Sequence, residues 1–137
     1  MHHRSGTRIP VTALAPCLAL ALLLCACAEK QAPPPPDPLA KPVALELPGT
    51  YYDPAFTLRD MYDTYPSRYT TVYRVGETYN IERAAYDGAP EMNMVFAPDS
   101  IGRFVLTILV VDGRKAGDAE RLAAYKEAYA IHTSRMQ

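Results

Sequence analysis

The stretch Arg103-Phe-Val-Leu-Thr-Ile-Leu-Val-Val111 decides the fold. Side chains alternate across a strand, so Phe104, Leu106, Ile108 and Val110 point one way and Val105, Leu109 and Val111 the other. Both faces are apolar. A strand of that kind belongs in the centre of a sheet, with one face covered by a helix. Asp112-Gly113 then ends it with a turn.

The partners of this strand lie on either side of it in the chain. Tyr69-Thr-Thr-Val-Tyr-Arg-Val75 is rich in β-branched and aromatic residues, and Gly76-Glu77 separates it from Thr78-Tyr-Asn-Ile-Glu-Arg83. Glycine at the first central position suits a type II′ hairpin. That register pairs Val72 with Ile81 and Arg74 with Tyr79, leaving Tyr73 beside Asn80 on the opposite face. Asp87-Gly88-Ala89-Pro90 closes the hairpin, and Glu91–Ala97 is a further short strand. Leu58, Met61, Tyr62 and Tyr65 recur at helical spacing until Pro66 stops them. At the far end, Asp118 caps a helix running to Arg135. Leu122, Tyr125 and Tyr129 form its apolar stripe, with alanines favouring the helix. The expected class is α+β: a small antiparallel sheet with a C-terminal helix packed on it. A signal peptide and a proline-rich linker precede this domain.

That leader reads differently from the rest. Residues 1–10 carry Arg4 and Arg8 and no acid, and Val11–Ala26 is apolar apart from Thr12. The run falls short of the roughly twenty residues a bilayer span needs. Small residues followed by Glu29-Lys30-Gln31 read as a processing site. Loss of residues 1–26 removes two arginines and no acid, taking the formal charge from −1 to −3. Such a balance argues against nucleic acid as partner, because phosphate binding needs a dense Lys/Arg face.

Leu24-Cys25-Ala26-Cys27 resembles the lipobox of bacterial lipoproteins. The resemblance implies that Cys27 receives a diacylglyceryl group and that cleavage follows Ala26. The pattern usually has Ala, Ser, Thr or Val where this chain has Cys25. Ordinary secretion, with cleavage before Glu29, is the alternative. No cysteine follows position 27, so the domain has neither a disulfide nor a thiolate metal site. Ala28, where an inner-membrane-retained lipoprotein commonly has Asp, implies the outer membrane in a Gram-negative host. Residues 27–49 then form a tether containing seven of the thirteen prolines, extended and able to reach about 60 Å. Val43, Leu45 and Leu47 alternate within it and suit an edge strand. Residues 50–137 form the domain.

Chemistry is sparse in that domain. His132 lies near a helix end, where interaction with the last carbonyls or with water is expected. Asp60 and Asp63 share a helical face as exposed acids, too few to hold a cation. Ser67, Ser100 and Ser134 stand outside any GxSxG context, and phosphate loops and HExxH are absent. No catalytic residue, metal ligand or cofactor is assigned. Tyr51, Tyr52, Tyr62, Tyr65, Tyr69, Tyr73, Tyr79 and Tyr86 crowd one region, as a core or as a binding face. Tyr69, Tyr73 and Tyr79 are the candidates for such a face. Tyr73-Arg-Val-Gly-Glu-Thr-Tyr-Asn-Ile81 is similar to a short stretch preceding the barrel of the rare lipoprotein A family, which binds or cleaves peptidoglycan; the barrel's catalytic signature has no counterpart here. The expectation is a lipid-anchored envelope lipoprotein acting as a non-catalytic binding or assembly accessory to another envelope protein. A peptidoglycan- or glycan-binding module is the alternative.

Overall fold

Residues 32–50 and 52–137 are described by a computed structural model. The expected leader and lipobox, with Cys27, and Tyr51 lie outside the described residues. The chain divides into two compact units, with the second running from Pro36 to Gln137. Of the first, residues 32–35 are described; they are exposed and carry no regular secondary structure.

The second unit is α+β. Its elements are β1 (Val43–Ala44), α1 (Leu58–Asp63), a 3-10 turn (Ser67–Tyr69), β2 (Thr70–Val75), β3 (Thr78–Arg83), β4 (Met92–Pro98), β5 (Phe104–Val111), β6 (Arg114–Lys115) and α2 (Asp118–Arg135). The sheet order is β1-β5-β4-β3-β2, with β6 also on β5. The hairpin has the expected register, pairing Val72 with Ile81 and Arg74 with Tyr79. Gly76 turns it with φ +59°. β5 is central as expected: β4 pairs along one edge, while β1 and β6 share the other. The sheet is mixed rather than wholly antiparallel, because β1 runs parallel to β5.

The alternation expected along β5 breaks at Thr107. Val95 pairs with Ile108 but Phe96 pairs with Leu106, so Thr107 is an extra residue. A bulge moves every later side chain to the other face. Leu106 and Leu109 therefore both enter the core, at 0% and 2% exposure, while Ile108 is 37% exposed. Between β1 and β6 the edge of β5 lacks a strand partner. Arg121 from α2 fills that gap, its Nη1 donating to the carbonyls of Leu106 and Thr107 at 3.2 and 3.3 Å.

Both helices lie on one face of the sheet. Leu58 and Met61 from α1 join Ala124, Tyr125 and Ala128 from α2, packed with Ile81, Met94, Phe96 and Leu106. The buried stripe of α2 is Ala124, Tyr125, Ala128 and His132, rotated slightly from the Leu122–Tyr125–Tyr129 line; Leu122 and Tyr129 are half-buried. Gly117 caps α2 and Asp118 is its first residue, with Glu120 in the same turn complementing the helix dipole.

The folded unit starts well before residue 50. Leu39, Val43 and Leu45 are all buried. Backbone hydrogen bonds clamp this segment between β5 and α1: Phe104 N–H donates to Pro42 O, Val43 N–H to Phe56 O, and Arg59 N–H to Leu39 O. Asp37 adds a bidentate pair with Arg59, at 2.8 and 2.9 Å. That pair, helped by the Leu39 N–H, holds the Asp37 carboxyl down to about 2. The stretch from Pro36 to Gly49, expected as tether, is thus part of the fold. Each fully buried aliphatic side chain contributes about 1.5–3 kcal/mol, against a typical domain stability of about 5–15 kcal/mol. A chain beginning at residue 50 is expected to give a collapsed, poorly dispersed amide spectrum, and one beginning at residue 36 a dispersed one. Equal dispersion and thermal midpoints for both would contradict the assignment.

Candidate functional site

The three candidate tyrosines do not form one face. Tyr73 and Tyr79 belong to successive cross-strand pairs and point to opposite sides of the sheet. Tyr79 is buried, edge-on to Phe104 at 5.2 Å. Tyr69 is half-buried and stacks on Tyr86 at 4.5 Å and 9°. Tyr73 alone stands on the outer face of the sheet, 41% exposed, its hydroxyl donating to Glu82 Oε1 at 2.7 Å. No helix among the described residues packs on that face. Its central cross-strand row runs Tyr73, Asn80, Val95, Ile108.

His132 differs from expectation. It is buried, and its Nδ1 lies 3.1 Å from Asp60 Oδ1, joining α2 to the first turn of α1. Asp60 Oδ2 in turn accepts from the Thr57 N–H and hydroxyl, at 2.8 and 3.1 Å. Asp53 approaches the other ring nitrogen at 3.9 Å and accepts the Tyr129 hydroxyl at 3.0 Å. Phe56 packs edge-on against Tyr125 and Tyr129 and tilted against His132. Asp60 and Asp63 therefore part company. Asp60 is engaged and mostly covered, while Asp63 is exposed beside Arg59. Among the described residues no group of three or more His, Cys, Asp or Glu is placed to hold a metal ion. An imidazole enclosed this way positions helices. Its ring nitrogens face carboxylates rather than an open cleft.

A second cluster escaped the sequence reading. Arg83, the last residue of β3, is 9% exposed. Its guanidinium lies 5.0 Å from the Tyr65 ring centroid and 5.6 Å from that of Tyr86. Nη2 donates to Pro90 O at 2.6 Å, and Nε is buried without an acceptor. Cation–π contacts and one carbonyl offset part of the cost of taking a guanidinium out of water. Beside it opens a cleft of about 380 Å³ between α2 and the sheet, lined by Met92, Leu109, Val111 and Ala124 among others. The only sequence signal was an arginine at an inward position of a strand, four residues from Tyr79.

No protein-family model matches the chain, and no curated protein or solved structure matches it significantly.

Burial pushes the Tyr65 phenol up to about 12, with nearby Glu127 adding to the shift and Arg83 opposing it. Between the unfolded value near 10 and the folded one, the native state keeps a proton that the unfolded state releases. Stability therefore falls as pH rises through this window, by about 1.4 kcal/mol per pH unit at most. Tyr65→Phe removes this slope. The unfolding free energy from urea denaturation should fall further in the wild type between about pH 9.5 and about pH 11, by about 1 kcal/mol. Parallel losses in the two proteins would contradict the burial of that hydroxyl.

Proposed function

We propose that the chain is a lipid-anchored envelope protein whose α+β domain is a non-catalytic binding or assembly accessory for another envelope protein. In a Gram-negative host it faces the periplasm from the outer membrane. The anchor rests on Leu24-Cys25-Ala26-Cys27, with Cys27 as the lipidated residue. No helix among the described residues is long and apolar enough to cross a membrane.

The observation that carries the binding reading is the sheet face on which no helix among the described residues packs. Tyr73, Val75 and Ile108 are exposed there at 41%, 59% and 37%. Apolar area next to a tyrosine already held by Glu82 loses little side-chain freedom on contact with a partner. Engagement of His132 and Asp60 between the helices supports a packing role for those groups rather than catalysis. Peptidoglycan is the second reading, favoured by an exposed Tyr73 ring on a flat surface, which suits stacking on a sugar.

A photo-crosslinker at Ile108 in cells tests both readings. The expected result is a discrete protein adduct that weakens several-fold on Tyr73→Ala, with a thermal midpoint within a few degrees of wild type. Radiolabelled palmitate should enter this chain, and Cys27→Ser should abolish both label and adduct. Retention on purified sacculi without a protein adduct would favour the glycan reading. Absence of label would remove the anchor.

A further inference from the structure

The most buried arginine of the domain is one without a carboxylate. Arg59, Arg103, Arg114 and Arg121 each pair with an acid, at 20–62% side-chain exposure. Arg83 is only 9% exposed, yet no carboxylate among the described residues forms an ion pair with it. Of its donors, only Nη2 has a protein acceptor, and Nε is buried with none. Burial without a counter-ion is the costly arrangement for a guanidinium, and an incoming anion relieves it.

Arg83 borders the cleft against α2, where Met92, Leu109 and Val111 supply an apolar floor. Glu120 and Glu127 stand on the α2 wall. Glu120 is already held by Arg114 at 3.0 Å through both oxygens. These acids disfavour a dianion. Recognition of phosphate also draws on several cations or a nest of backbone N–H groups, whereas a carboxylate needs one planar fork. We propose that this cleft binds an α-carboxylate carrying a compact apolar side chain, with the carboxylate at Arg83 and the side chain over Met92, Leu109 and Val111. Two sources share this chemistry: a free apolar amino acid, and the C-terminal residue of a peptide. Glu127 favours the first, since the ammonium of a free amino acid is a cation. The site is separate from the outer sheet face, so it stands or falls independently of a protein partner there.

The test is a titration of the full-length chain, in an uncharged detergent, followed by amide chemical shifts. Leucine, N-acetylleucine, N-acetylleucinamide and inorganic phosphate are the probes. Leucine or N-acetylleucine should bind at least about tenfold tighter than the neutral amide, shifting the amides of Met92, Leu109 and Val111. The tighter of the two acids identifies the source. Arg83→Gln should abolish the preference for acid over amide. If that variant does not fold, the comparison of acid with amide on the wild-type chain still decides. Equal binding of acid and amide, phosphate binding as tightly as either acid, shifts confined to other surfaces, or no saturable binding would each overturn the proposal.

Discussion

Phe56, Asp60 and His132 meet where the start of α1 crosses the end of α2, and the rest of the domain depends on that junction. The unit has no disulfide and one modest core, so its single layer of helix is held on the sheet by noncovalent contacts alone. The 0%-exposed ring of Phe56 contacts three rings from α2. Asp60 links the Thr57 turn to His132, so the N-terminus of one helix and the C-terminus of the other are fixed by one carboxylate. Because the Phe56 carbonyl also accepts from Val43, the same junction registers β1 against β5.

Closing the core on one side leaves the other side of the sheet without a helix among the described residues, with Asn80 enclosed in its middle and Tyr73 and Ile108 exposed. The Thr107 bulge accentuates this division. It sends Leu106 and Leu109 inward and turns Ile108 out beside Val95. The outer sheet face and the cleft beside α2 are thereby separated by the thickness of the sheet. Tyr73 and Ile108 face outward, whereas Arg83, Met92 and Leu109 face α2.

Much of the architecture was legible in the residues. Gly76 between two β-branched runs determined the hairpin register, and Pro66 and Asp112-Gly113 placed the ends of α1 and β5. What escaped were features that depend on contacts distant in sequence. The bulge is invisible in RFVLTILVV, because alternation alone assigns Ile108 to the face of Leu106. Pro33–Pro36 and Pro38 read as spacer, yet Leu39 and Val43 have partners at Phe56, Arg59 and Phe104. His132 stands seven residues after Tyr125, on the buried stripe, so helical periodicity could have placed it inside. Its carboxylate partner, 72 residues earlier, had no such signal. Arg83 followed the inward alternation of β3, but nothing nearby in sequence announced that it lacks a counter-ion. The resemblance of Leu24-Cys25-Ala26-Cys27 to a lipobox, by contrast, rests on neighbouring residues and needs no fold to be read.

A double-mutant cycle with Asp60→Asn and His132→Gln, read by urea denaturation near neutral pH, tests the helix junction most directly. Contacting partners in one polar network couple by about 0.5–3 kcal/mol, and the account predicts a value in that range, the double variant losing less than the sum of the singles. Losses that add to within about 0.3 kcal/mol would show that the two side chains act independently, and the junction would no longer explain how the helices are held.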